Sequence, residues 1–308
     1  MIDKIYRKNL TLLNMERYNQ LDKILRKVDF PYAVIKGEVL SLACYNKIGI
    51  RPSGDIDILL ERKNLKQFEN ILQSEGFFPS IDQASERIAR IFCISNSHQL
   101  LPMVKNTCNQ NIEIDINFDI FWGEYDGKRC DMGEFLSDTM EINLYGVNIK
   151  ILPPMKALIQ LMLHHYKDMN SIFLICINNS ITYEKFKDLY YFLKNNIDYI
   201  QVDTVETICN DYNIKEYIYY MFYYINLIYK GEFEEYVQAL KTKRGDQLLN
   251  CYGLTDRERK IWKVDYVTRL QTKNLFQFIQ ADLTEHDWKK IEQNTKLFCY
   301  ENKGTVIR

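Results

Sequence analysis

An α+β fold is what this 308-residue sequence predicts, and three observations carry the prediction. Residues 32–60 hold two apolar runs separated by one short helix's worth of chain. Residues 98–118 and 140–152 repeat the short-strand pattern around polar turns. After Pro153-Pro154 the apolar residues recur at helical spacing to the end of the chain. Two domains follow: residues 1–152, a mixed-sheet core with an N-terminal helix, and residues 153–308, an all-helical domain. Each is long enough to bury a core of its own.

Residues 3–28 place Leu10, Leu13, Leu21, Ile24, Leu25 and Val28 near helical spacing. Asp29-Phe30-Pro31 ends that helix, because the residue before a proline is pushed out of the helical region. Tyr32-Ala33-Val34-Ile35 is an apolar strand that runs into Lys36-Gly37-Glu38 and a short helix to about Lys47. The chain turns back through Arg51-Pro52-Ser53-Gly54 into a second strand, Asp55-Ile56-Asp57-Ile58-Leu59-Leu60. Asn64 then caps a helix with Leu65, Phe68 and Leu72 inward, stopped by Gly76. Phe77-Phe78-Pro79 reads as an edge strand, and residues 81–93 suit helix and strand equally.

Residues 98–104 and 112–118 read as a hairpin about the polar turn at 106–111, with Pro102 confining the first to an edge. A second hairpin, 140–144 with 147–152, turns at Tyr145-Gly146 and completes the mixed sheet. Pro153-Pro154 marks the boundary, the second proline suiting the first turn of a helix. Helices are expected over 155–169, 182–195, 203–211, 214–230, 232–242, 256–272 and 284–299. Thr255-Asp256-Arg257-Glu258 is a capping box for the sixth. From Asn302-Lys303-Gly304 onward the tail is expected to fray.

A net charge of −1 leaves no global basic field, so generic nucleic-acid binding is not expected. Eight cysteines are scattered without a Cys-x-x-Cys pair, which argues against a zinc site or a disulfide framework and suits reduced thiols in a cytosol. Asp3, Lys4, Arg7 and Lys8 interrupt any N-terminal signal sequence. The apolar stretch 217–229 is too short to span a bilayer. A soluble, cytoplasmic protein without a membrane partner is the expectation.

The chemistry is concentrated where the second strand begins. Side chains alternate along a strand, so Asp55 and Asp57 share one face, about 7 Å apart at Cα, while Ile56, Ile58 and Leu60 face the core. Two acids held side by side are costly unless a positive group sits between them, and without one the pair should hold a raised pKa. Carboxylate oxygens suit Mg²⁺ bound to phosphate. A third acid is needed on a neighbouring strand if two metals serve phosphoryl transfer. Ile112-Glu113-Ile114-Asp115-Ile116-Asn117 offers it twice, with Glu113, Asp115 and Asn117 on one face; a solvent-facing polar stripe is the plainer reading of the same pattern.

The ordered set Lys36-Gly37, Gly49-Ile50-Arg51 and Asp55-Ile56-Asp57 resembles the bacterial uncharacterised nucleotidyltransferase family, within the DNA polymerase β-like superfamily. The resemblance implies a nucleotidyltransferase core and transfer of a nucleoside monophosphate from an NTP, with ATP the expected nucleotide and Mg²⁺ the cofactor, to a hydroxyl or similar acceptor. It further implies that Asp55, Asp57 and Asp115 are catalytic and hold metal, with Asp115 favoured over Glu113, and that Lys36, Gly37, Arg51 and Ser53 face the nucleotide phosphates. NTP and acceptor would lie in a cleft between the domains. The sequence departs from the superfamily in two places. Glu38 stands where a phosphate-contacting serine is common, and Asn117 stands where relatives carry histidine.

Several residues keep two readings. Arg51 could neutralise triphosphate charge or tie its turn to a carboxylate. His98 opens the strand before the third acid and suits a structural hydrogen bond. His165 shares a helix face with Leu158, Leu161 and Met162, which is the pattern of a core histidine; His164 lies over Gln160 and Asp168. Adjacent helical residues diverge by about 100°, so the pair does not read as a zinc motif. Asp188 reads as a helix anchor or salt bridge, and the tyrosines of 217–229 as core rather than a base-stacking platform. The acceptor stays open between a small molecule, a peptide and RNA. Two further functions remain on the same fold: a non-catalytic NTP- or partner-binding protein, and a toxin-like enzyme modifying tRNA or protein.

Overall fold

The computed structural model describes residues 2–51, 53–81, 83–122 and 129–298. Pro52, Cys299 and the tail expected to fray lie outside them. The chain divides into two compact units, one running through residue 157 and including 194–196, the other made of 158–193 and the chain from 197 on.

The first unit opens with helix α1 (Ile2–Leu25), strand β1 (Tyr32–Ile35), helix α2 (Gly37–Tyr45) and strand β2 (Asp55–Leu60). Helix α3 (Leu65–Ser74), strand β3 (Phe78–Pro79) and helix α4 (Gln83–Asn96) follow. The region 81–93, open between helix and strand in the sequence, is thus helical from residue 83. Strands β4 (Met103–Asn106) and β5 (Asn111–Asn117) complete a five-stranded sheet of order β1-β2-β5-β4-β3. The sheet is mixed: β2 and β5 run parallel, and every other neighbouring pair is antiparallel. Parallel strands need a long crossover rather than a hairpin, which α3, β3, α4 and β4 provide.

Two strand expectations change. Strand β4 is interior rather than an edge, because it starts at Met103, after Pro102, so the proline removes no donor from the ladder. The 140–152 hairpin forms after the short helix α5 (Met132–Phe135), but as a separate two-stranded sheet of β6 (Met140–Leu144) and β7 (Val147–Ile151). Its buried residues Leu144, Val147 and Ile149 go to the core, and β7 lies against β1 by side-chain packing rather than a backbone ladder. One face of the main sheet supplies the hydrophobic core: Ile56, Ile58, Ile114 and Ile116 are at most 4% exposed. Burial of a side chain of that size contributes about 1.5–3 kcal/mol.

The chain continues with α6 (Pro154–Asn170), α7 (Ile172–Cys176), α8 (Tyr183–Asn195), α9 (Val202–Asp211), α10 (Lys215–Ile228), α11 (Glu234–Leu240) and α12 (Lys243–Leu248). The helix expected over 256–272 is replaced by a two-residue strand pair, β8 (Cys251–Tyr252) with β9 (Lys260–Ile261), before α13 (Tyr266–Gln271). Half of the expected capping box forms, with Glu258 N donating to Thr255 Oγ1 at 3.3 Å, but it closes a turn. Gly253, at φ +93°, has directed the chain into β9, and a Cβ there would come within 2.5 Å of the Glu258 carbonyl oxygen. Helices α14 (Phe276–Ile279) and α15 (Glu285–Phe298) end the described chain. The tyrosines of α10 are core, with Tyr217, Tyr219, Tyr220 and Tyr224 all buried. Among the described residues, no helix is long and apolar enough to cross a membrane.

Candidate active site

Strand pairing brings the acids together. Asp57 lies opposite Ile35 of β1 on one side and Asp115 of β5 on the other, while Asp55 lies opposite Glu113. Directly paired residues sit about 5 Å apart at Cβ and share a face, so the four carboxylates crowd one patch of two parallel strands. Two full charges at 5 Å repel by roughly 3 kcal/mol at an effective dielectric near 20. The group that yields is Asp115. Burial, then the charges of Asp57 and Asp55, push its carboxyl well above the usual range, with Lys36 pulling the other way. Asp115 Oδ1 is buried and has no hydrogen-bond partner among the described residues.

Asp57 is the most enclosed of the acids, 4% exposed, and Lys36 Nζ lies 2.7 Å from its Oδ1. Asn117 Nδ2 donates to the same oxygen at 3.2 Å. Asn117, buried at the end of β5, therefore braces the acid one pleat away on β2. The Lys36 contact depends on backbone strain. Lys36 has φ 57° and ψ −148° at the turn from β1 into α2, a conformation that L side chains rarely adopt. Gly37 follows at φ +45°, and a Cβ there would stand 3.1 Å from Ser53 Oγ. The glycine is required by both the dihedral and the close approach.

Ser53 Oγ donates to the Asp55 carbonyl at 2.9 Å and lies 3.2 Å from Asp55 Oδ1. Its own carbonyl accepts from Arg17 Nη1 at 2.6 Å. A small recess is lined by Asn14, Arg17, Lys36, Gly37, Ser53 and Asp55. Arg17 is the cation that the sequence reading missed. Its signal was weak: Asn14, Arg17 and Tyr18 share a face of α1 at helical spacing, which is visible only once α1 is known to pack here.

Glu38 is not presented to this recess as a lone charge. It is 3% exposed, accepts from Asn14 Nδ2 at 2.7 Å through Oε1, and accepts from Gly49 N at 2.7 Å through Oε2. Ser41, one turn along α2, accepts at Oγ from the backbone N–H groups of Ile50 and Arg51, each at 3.2 Å, and donates to the Lys47 carbonyl at 2.9 Å. Together they pin the 46–51 loop to α2, which carries Arg51 into the turn before Asp55. Both carboxylate oxygens of Glu38 are thus held by neutral donors of the chain.

The donor set fits a hard divalent cation. The ligands on hand are carboxylate oxygens from Asp55, Asp57 and Asp115, with Glu113 at the margin. Mg²⁺ takes such ligands along with water and phosphate oxygens. The unpartnered Asp115 Oδ1 and the crowding that raises its carboxyl are the features that a cation there would relieve.

The other candidates fall outside this constellation. The His98 carbonyl accepts from Phe118 N at 2.8 Å, beside a bridge between Gln99 and Asn117, which ties the chain ahead of β4 to the end of β5. In the second unit, the rings of His164 and His165 are 5.7 Å apart, and their ligand atoms and that of Asp168 lie within 4.8 Å of one another. The reach of the side chains thus offsets the divergence of adjacent helical positions. Asp168 is already committed: His164 Nε2 is 3.4 Å, Lys167 Nζ 3.0 Å and Lys185 Nζ 3.2 Å from its oxygens. Burial alone would raise its carboxyl, but the His164, Lys167 and Lys185 charges outweigh that and hold it well below the usual range. Two ammonium groups on one carboxylate oppose a further cation, so this cluster is an ion-pair network. His165 is buried at 4% exposure, in keeping with a core histidine, and Asp188 is buried in α8.

Against known proteins, the model of a family described as uncharacterised nucleotidyltransferase matches residues 4–230. That span holds the five-stranded sheet, both acid-bearing strands and the helices through α10. No curated protein and no solved structure matches the chain.

Proposed function

The chain belongs to the uncharacterised nucleotidyltransferase family, and on that premise we propose that it transfers a nucleoside monophosphate from an NTP to an acceptor hydroxyl or similar group. The observation that carries the reading is the pairing of Asp57 with Asp115 on parallel strands, with Asp55 on the same face and Lys36 against Asp57. In the reaction the acceptor oxygen attacks the α-phosphorus, the bond from that phosphorus to the bridging oxygen breaks, and pyrophosphate leaves. A bound Mg²⁺ would supply charge neutralisation at the phosphate oxygens and at the leaving group.

The chain's own groups divide the remaining work. Asp55, Asp57 and Asp115 would hold the metal. Asp115, paired with Asp57 on the neighbouring strand, also takes the acceptor's proton. Lys36, the amide side of Gly37, Ser53 and Arg51 meet the triphosphate, and the pinned 46–51 loop keeps Arg51 within the turn. ATP is the nucleotide we favour.

Isothermal titration with Mg-NTPs, followed by a pyrophosphate-release assay, tests the reading. Binding with a metal-dependent rise in melting temperature is expected by mass action, and D55N/D57N should abolish that rise. Pyrophosphate release across candidate acceptors then separates an enzyme from a nucleotide-binding protein. An unchanged Mg-NTP melting shift in the double variant would remove the site assignment.

A further inference from the structure

Beyond residue 230, where the family match ends, the helical unit buries an arginine. Arg269, on α13, is 0% exposed. A guanidinium keeps its charge and presents five N–H donors. Its Nη2 donates to Tyr224 Oη at 3.0 Å and to the Leu249 carbonyl at 3.3 Å. Among the described residues, Nε and Nη1 meet no acceptor and no carboxylate pairs with the side chain. Aromatic rings wall it in, with Cζ 5.7 Å from the centroid of Tyr224, 5.3 Å from Trp262 and 5.0 Å from Tyr266. Contacts to ring faces recover only part of the cost of an unpaired buried ion.

Two of those rings carry further buried groups without a partner among the described residues, Trp262 Nε1 and Tyr266 Oη. An indole N–H can only donate. Burial, with Tyr220 and Tyr224 nearby, pushes the Tyr266 phenol well up, so it too stays protonated and able to donate. The unmatched atoms are thus donors or able to act as donors, carried by rings that pack against one positive charge. What would satisfy them is an acceptor, and what would balance the charge is an anion. We propose that Arg269, with Trp262 and Tyr266, forms a buried site for a small inorganic anion that ties α13 to α10 and to the chain at Leu249. The site is independent of the carboxylate cluster and of the activity proposed for it.

The test uses the full-length protein in potassium bromide, phosphate and gluconate at constant ionic strength. A melting temperature several degrees higher in bromide or phosphate than in bulky gluconate is expected, and the more effective salt tells a halide from an oxyanion. Y266F keeps the ring and removes one donor, and should raise the half-saturating anion concentration about tenfold. R269M should abolish the salt effect. Should R269M fail to fold, Y266F still decides. Bromide-soaked crystals should show an anomalous peak beside the Arg269 guanidinium. Equal melting in all three salts, a salt effect unaltered in Y266F, or density for water alone at Arg269 would overturn the site.

Discussion

Asp115 and Glu113 both occupy ladder positions on the acid face, beside Asp57 and Asp55 respectively. Asp115 has an oxygen without a partner among the described residues and a carboxyl pushed well up by its surroundings. D115N should lower pyrophosphate release by about 10²–10⁴-fold with NTP binding by titration largely kept, as when an interaction acts in the transition state. E113Q should change turnover little. An equal loss in E113Q would reverse the assignment. Glu38 gives a different prediction. Both its oxygens accept hydrogen bonds, so E38Q must set an amide N–H₂ against either Asn14 Nδ2 or Gly49 N. The cost should be about 1–3 kcal/mol for a buried donor left unmatched, read as a lower urea midpoint.

Among the elements, the turn from β1 into α2 and the 46–51 loop do for the site what neither strand does alone. The strands align carboxylates, but the strained Lys36–Gly37 turn sets the ammonium on Asp57, and α2 holds the loop through Glu38 and Ser41. In the helical unit, α6 and α8 are joined by a carboxylate: Asp168 is gripped by Lys167 of its own helix and by Lys185 of α8. Because the folded carboxyl lies well below the unfolded value of about 3.9, its stabilisation is complete above that value. It is lost as pH falls from about 4 through the folded pKa. Acid denaturation followed by far-UV circular dichroism should therefore steepen below pH 4. D168N should be less stable at neutral pH and should lose that part of the acid limb, and an identical acid limb in D168N would dismiss the network as a source of stability.

For the whole molecule, net charge bears on the acceptor. Forty basic side chains stand against 41 acidic ones, so bulk electrostatics should not recruit an RNA acceptor. Binding to random RNA at physiological salt should be weak, and a gel-shift or anisotropy titration checks it. Tight binding that weakens steeply with added salt would instead reveal a local basic face and favour a tRNA-modifying enzyme over one acting on a small molecule.

Patterns that repeat over a few residues were decided by the sequence alone. Period-two alternation puts Asp55 and Asp57 opposite Ile56 and Ile58, and Glu113, Asp115 and Asn117 opposite their isoleucines, because consecutive strand residues must point to opposite faces. Helical spacing likewise located α1, α6, α8 and α10 to within a few residues. What consecutive residues cannot encode is which distant partner each one meets. The alignment of Asp115 with Asp57 joins strands 58 residues apart by number, and it was settled by packing β5 against β2 with their isoleucines on one side. Glu38 became a loop clamp only because Asn14 and Gly49 arrive beside it. Arg17 reached Ser53 only because α1 lies across the turn, and the 140–152 hairpin forms a sheet of its own with β7 lying against β1. Local periodicity therefore named the carboxylates, and the tertiary structure decided which groups hold, brace and crowd them.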